Sequence, residues 1–86
     1  MKKLINQRDA EGRPHGVWEG YYYSDGTLGW REHYHHGKEH GVWEDYYRNG
    51  ILWLRAHYQH GVRRGLETVY DRQSRITDKT YHLVIR

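Results

Sequence analysis

Along most of the chain, apolar and polar residues alternate in short runs broken by glycine, which is the pattern of β-hairpins rather than of helices. The run Trp43-Glu44-Asp45-Tyr46-Tyr47 and the run from Ile51 to Tyr58 flank Asn49-Gly50. A two-residue turn is expected there, since both of its positions need positive φ, which Asn and Gly tolerate best. It would pair Arg48 with Ile51, Tyr47 with Leu52, Tyr46 with Trp53, Asp45 with Leu54, Glu44 with Arg55 and Trp43 with Ala56. A three-residue turn at Ser24-Asp25-Gly26 would pair Tyr22 with Leu28, Gly20 with Trp30, Glu19 with Arg31 and Trp18 with Glu32. Both registers set a Glu against an Arg at the same rung, a pairing that contributes roughly 0.2–1 kcal/mol and mainly supports the register. Trp30 opposite Gly20 fits too, because a large ring covers the gap left by a missing side chain.

The hairpins repeat. Gly16-Val17-Trp18-Glu19-Gly20-Tyr21-Tyr22 returns as Gly41-Val42-Trp43-Glu44-Asp45-Tyr46-Tyr47 and, weakly, as Gly65-Leu66-Glu67-Thr68-Val69-Tyr70-Asp71, at offsets of 25 and 24 residues. The linkers Gly12-Arg13-Pro14-His15-Gly16, Gly37-Lys38-Glu39-His40-Gly41 and Gly61-Val62-Arg63-Arg64-Gly65 run in parallel. Fixed-period self-similarity of this kind signals a repeat architecture. The expectation is an all-β fold: a single twisted antiparallel meander of about seven strands, one domain over 1–86. Its repeats would span about 12–37, 37–61 and 61–86, with an N-terminal strand at about 2–8.

Alternation sorts the side chains onto two faces. A packed face is expected to carry Ile5, Trp18, Tyr22, Leu28, Trp30, Tyr34, Trp43, Tyr47, Leu52, Leu54, Ala56 and Tyr58, continued by Val69, Ile76 and Val84. The opposite face would carry Val17, Glu19, Tyr21, Arg31, His33, Val42, Glu44, Tyr46, Trp53, Arg55, His57, Leu66, Tyr70 and Tyr81. Its aromatic line, flanked by Arg and His, is the better recognition surface. A single sheet cannot cover its own apolar face without strong curling. Trp18, Trp30 and Trp43 are therefore expected to line the inside of a curl or to meet a second copy, giving a homodimer through the apolar face.

Composition changes this picture only in part. Hydrophobic residues make up 36% of the 86 and the mean hydropathy is −1.17, values that alone would suggest disorder. Four Trp and nine Tyr without any Phe argue for order instead. Their half-apolar, half-polar side chains suit a thin sheet. With no Cys there is no disulfide framework or thiolate. The start of the chain lacks the apolar run of a signal peptide, and no stretch is apolar enough for a membrane span, so a cytoplasmic protein is expected. Residues 1–45 carry a net charge of −2 and residues 46–86 one of +5. The basic half would suit an acidic protein surface or nucleic acid.

The Gly, Trp, Tyr-Tyr, Gly, Leu, Tyr and Gly spacing, as it stands in 16–37 with one inserted residue and in 41–61, resembles the MORN-type repeat in its bacterial, antitoxin-like variant. The resemblance covers about residues 12–71. It implies a meander of hairpins with no catalytic centre, used as a scaffold or protein-binding surface; some relatives are linked to membranes or lipids. The third unit departs, with Glu67 where the Trp belongs and Ser74 in place of the turn Gly. That suggests a capping repeat.

Candidate chemistry is sparse. His33 and His35 share a face, and His57 holds the matching rung of the next repeat, but nothing in the spacing makes their nitrogens converge on an ion, so no metal site and no cofactor are assigned. His36 and His60 precede turn glycines and are expected to serve the turns. Glu19 and Glu44 are better explained by Arg partners than by acid–base work. Glycines fall in turns rather than in a phosphate loop, and Ser24 and Ser74 have no suitably spaced His and Asp, so no catalytic residue is assigned and no enzyme is expected. Two functions remain. In the first, a protein partner binds through Tyr21, Arg31, His33, Tyr46, Trp53, Arg55 and His57, as for an antitoxin or a small phage-type inhibitor of a bacterial defence enzyme. In the second, less favoured, nucleic acid stacks on the aromatics while Arg48, Arg55, Arg63, Arg64, Arg72, Arg75 and Lys79 track phosphates.

Overall fold

The computed structural model describes residues 5–22 and 26–83. Among them are nine strands and no helix: β1 (Gln7–Arg8), β2 (Pro14–Tyr21), β3 (Leu28–His35), β4 (Lys38–Glu39), β5 (Gly41–Tyr46), β6 (Leu52–Gln59), β7 (Val62–Arg63), β8 (Gly65–Tyr70) and β9 (Ile76–His82). They form one open antiparallel sheet in the order β1-β2-β3-β5-β6-β8-β9. β4 pairs with β3 and β7 with β6. Because β4 and β5 are separated only by His40, and β7 and β8 only by Arg64, the path is the expected seven-strand meander. Among the described residues the N-terminal strand, expected at about 2–8, is Gln7–Arg8, and Asn6 just before it takes a left-handed φ of 57°. Residues 2–4 of that strand, Ser24 and Asp25 of the first tip, and Val84 lie outside the described residues.

The inner rungs match the sequence register: Trp18–Glu32, Glu19–Arg31 and Gly20–Trp30 in one hairpin, Trp43–Ala56, Glu44–Arg55 and Asp45–Leu54 in the next. Toward the tips the register differs. Tyr21, not Tyr22, pairs with Leu28, and Tyr46 pairs with Leu52 rather than Trp53, because Gly29 and Trp53 are each the extra residue of a β-bulge. The third hairpin repeats the device at Thr77. Nor is the Asn49-Gly50 tip a two-residue turn. Tyr47 N–H donates to Ile51 O and Gly50 N–H to Tyr47 O, so Arg48, Asn49 and Gly50 form a three-residue loop in which only Gly50 (86°) has positive φ. Asn49 acts through its side chain instead, its Oδ1 accepting Ile51 N–H at 3.0 Å. Two-residue turns with positive φ at both positions do occur, at His36-Gly37 (46°, 87°) and His60-Gly61 (51°, 81°).

Ala56 is the one apolar side chain that is fully buried among the described residues, while Trp18, Trp30 and Trp43 remain half exposed. A single layer has no second layer to bury against. Trp30 lies across Gly20, where an added Cβ would stand 2.3 Å from the indole ring. Consecutive hairpins are tied by the same contact twice: Tyr22 OH donates to Tyr46 O, and Tyr47 OH donates to Tyr70 O at 2.7 Å. Arg48 then covers the Tyr22 ring and Arg72 the Tyr47 ring, at 4.8 and 5.1 Å from the ring centroids.

Candidate functional site

The face expected to be open is organised by charge. Glu19, Arg31, Glu44, Arg55, Thr68 and Lys79 occupy one rung on β2, β3, β5, β6, β8 and β9 and form a continuous lateral row. Arg31 Nε donates to Glu19 Oε2 at 2.7 Å, and its Nη1 lies 3.8 Å from Glu44 Oε1. Arg55 Nη2 and Nε donate to Glu44 Oε2 at 2.7 and 3.2 Å. Hydroxyls close the row from one side, with Tyr21 OH donating to Glu19 and Tyr46 OH to Glu44. Glu19, Glu44 and Thr68 are buried. The face assigned to recognition thus holds the best-buried polar side chains of the sheet, and its glutamates are structural.

Of the seven residues expected to bind a partner, Tyr21, Arg31, Tyr46 and Arg55 gather around the two glutamates. His33 and His57 lie one rung away with Val17, Val42 and Leu66, and His33 Nδ1 meets Val42 O at 2.8 Å. Trp53 departs from simple alternation: the bulge brings its ring to 6.1 Å from Tyr47, a residue assigned to the other face. Tyr21 (51%), Trp53 (43%), Leu66 (42%) and Tyr81 (68%) stand exposed.

The tryptophan face carries acids between its rings. Tyr34 OH donates to Glu32 at 2.7 Å and Trp43 Nε1 to Asp45 at 3.3 Å. Burial pushes the Glu32 carboxyl above its ordinary value, against the Tyr34 hydrogen bond, and Asp45 and Glu39 push the same way. Burial raises Asp45 too, against Trp43 and Arg63. Glu67, standing where a Trp would, accepts from Arg63 at 2.7 Å and meets His82 at 2.8 Å.

At the end of the sheet opposite the bulged tips lies a row of histidines that the sequence reading did not assemble. Ring centroids are 4.4 Å apart for His15–His36, 4.7 Å for His35–His36, 5.9 Å for His35–His40 and 5.6 Å for His40–His60. His15, His35 and His36 each offer a nitrogen within 4.8 Å of the others. Asp9 adjoins them, with Oδ2 2.7 Å from His36 Nδ1. The signal was present as spacing, since His15 and His40 are 25 residues apart and His36 and His60 are 24 apart. Equivalent positions of adjacent repeats stand side by side across a sheet, and the grouping of His33, His35 and His57 by face and rung left out His15, His36 and His40.

The chain matches no known family model, no curated protein and no solved structure. Among the described residues, no helix is long and apolar enough to cross a membrane.

Proposed function

We propose that the chain is a non-catalytic protein-interaction module that binds a protein partner on the charge-ladder face. The observation that carries this reading is the set of large exposed side chains, Tyr21, Leu66 and Tyr81, beside a row of charges that already satisfy one another. Paired charges cost less to cover than free ones, and exposed aromatic clusters with Arg are the residue types that anchor interfaces. The glutamates that general acid–base chemistry would need are engaged by Arg31, Arg55 and the Tyr hydroxyls, which supports a binding role. A MORN-like antitoxin, or a small phage-type inhibitor of a bacterial defence enzyme acting in the cytoplasm, is the form the resemblance suggests.

Nucleic-acid binding draws less support. Arg55, Arg63 and Arg75 are spent on Glu44, Glu67 and Asp71, and Arg48 and Arg72 already lie on the Tyr rings that bases would need. Self-pairing through the tryptophan face would desolvate Glu32 and Asp45 further, which opposes it. The test is co-purification from a bacterial lysate with wild type, Tyr21→Ala and Tyr81→Ala, beside titration with oligonucleotides at low salt and about 200 mM salt. A partner held by wild type and lost by both variants is expected. Retention by both variants, or tight oligonucleotide binding with a steep salt slope, would overturn the reading.

A further inference from the structure

Three imidazoles converge where the first two units meet: His15 near the start of β2, His35 at the end of β3 and His36 in the turn that follows. Desolvation first, and then His36, His15, His40 and His60, hold the His35 imidazole below its ordinary value.

Asp9 supplies a second, separate feature. Its Oδ1 accepts the N–H groups of Glu11 and Arg13, both at 2.9 Å, and its Oδ2 accepts Arg13 Nε at 2.8 Å. The carboxylate is therefore fixed in place by its own turn. An ionised carboxylate can only accept, so the 2.7 Å contact to Oδ2 puts a proton on His36 Nδ1 and leaves the lone pair on Nε2. A carboxylate behind an imidazole is the arrangement that orients metal-ligating histidines and raises their basicity. His15 carries the cost of binding. Its Nδ1 accepts His36 N–H at 3.0 Å, and this bond is lost whether Nδ1 turns to the ion or the proton moves from Nε2 to Nδ1 to free Nε2.

We propose that His15, His35 and His36 bind a divalent first-row transition ion, with Asp9 as the positioning residue for His36. Neutral imidazoles without thiolate suit Zn²⁺, Ni²⁺ or Cu²⁺ rather than the hard ions Mg²⁺ and Ca²⁺. Three protein ligands leave a further coordination position for water or for a donor from a partner.

Calorimetric titration of the full, untagged chain with zinc chloride near neutral pH tests this. One ion per chain is expected. His36→Asn removes a ligand while keeping a residue that tolerates the left-handed turn position, and should weaken zinc by about 100-fold or more. Asp9→Asn keeps an oxygen for the backbone N–H groups and should weaken it by about 10-fold in a variant still folded by circular dichroism. A role confined to holding the turn would leave zinc affinity alone. His57→Gln, on the ladder face, should bind as wild type does. If His36→Asn fails to fold by circular dichroism, His35→Gln within β3 carries the same expectation. No saturable uptake by wild type, wild-type affinity in the folded ligand variant, or equal loss in His57→Gln would overturn the site.

Discussion

Among the described residues, a residue at each hairpin tip adopts a left-handed backbone. Gly12, Gly26 and Gly50 do so, and the fourth tip uses Ser74 at φ 68°. Its hydrogen bonds mirror those of the Gly12 tip, with Ser74 N–H donating to Asp71 O and Asp71 N–H to Arg75 O. An L-residue pays roughly 1–2 kcal/mol for this conformation, partly offset by glycine's greater entropy in the unfolded chain. Ser74→Gly should therefore stabilise the protein by about 0.5–1 kcal/mol, read as a higher urea midpoint. On the tryptophan face, Glu32 has a folded-state value raised by burial. A raised value means that stability is fully present below the unfolded carboxylate range and is lost as pH rises through the folded value. Glu32→Gln, which can still accept from Tyr34, should accordingly be more stabilising relative to wild type at pH 7 than at pH 4, as denaturant midpoints at the two pH values would show. An equal effect at both pH values would contradict the cause assigned to the shift.

At the scale of elements, strands are paired by backbone ladders, but consecutive hairpins are also locked by side chains that reach across one full unit. Tyr47 OH donates to Tyr70 O while Arg72 covers its ring. Tyr47→Phe keeps the ring and removes only the hydroxyl, so a loss of about 1 kcal/mol is expected in equilibrium unfolding. The repeat offsets and inner rungs were legible in the sequence, because opposed charges and the Trp30–Gly20 pair leave one register that satisfies both. The tips were not, since Asn49 can serve a turn either through its backbone or through its side chain, and composition does not distinguish the two. The bulges were equally hidden: Gly29, Trp53 and Thr77 share a position but no chemistry. Alternation carried through a bulge did not foresee the approach of Trp53 to Tyr47. The histidine row escaped because it joins strand ends, turns and linkers rather than one alternating face.

For the whole molecule, the thinness of the sheet decides where stability resides. With extents of 43 × 41 × 21 Å and Ala56 as the one fully buried apolar side chain among the described residues, cooperativity must come from neighbour-to-neighbour contacts, as in other repeat arrays. Hydrogen exchange should be slowest for amides of β5 and β6, which have partners on both sides, and fastest in β9, a mostly exposed edge. Equal protection of β9 and β6 would show a more uniform cooperativity than a nearest-neighbour array allows. The lateral row of Glu19, Arg31, Glu44 and Arg55 bears on growth as well as on binding. Each of the first two units brings one acid and one base to it and pairs them internally, and Arg31 meets Glu44 across the junction between them. A duplicated stretch of 24 or 25 residues would thus enter charge-neutral and in phase, lengthening the sheet by two strands without disturbing those already there. The ladder makes the chain extensible in whole hairpins, and a slip of one residue or a half unit would announce itself at once as an unpaired buried glutamate.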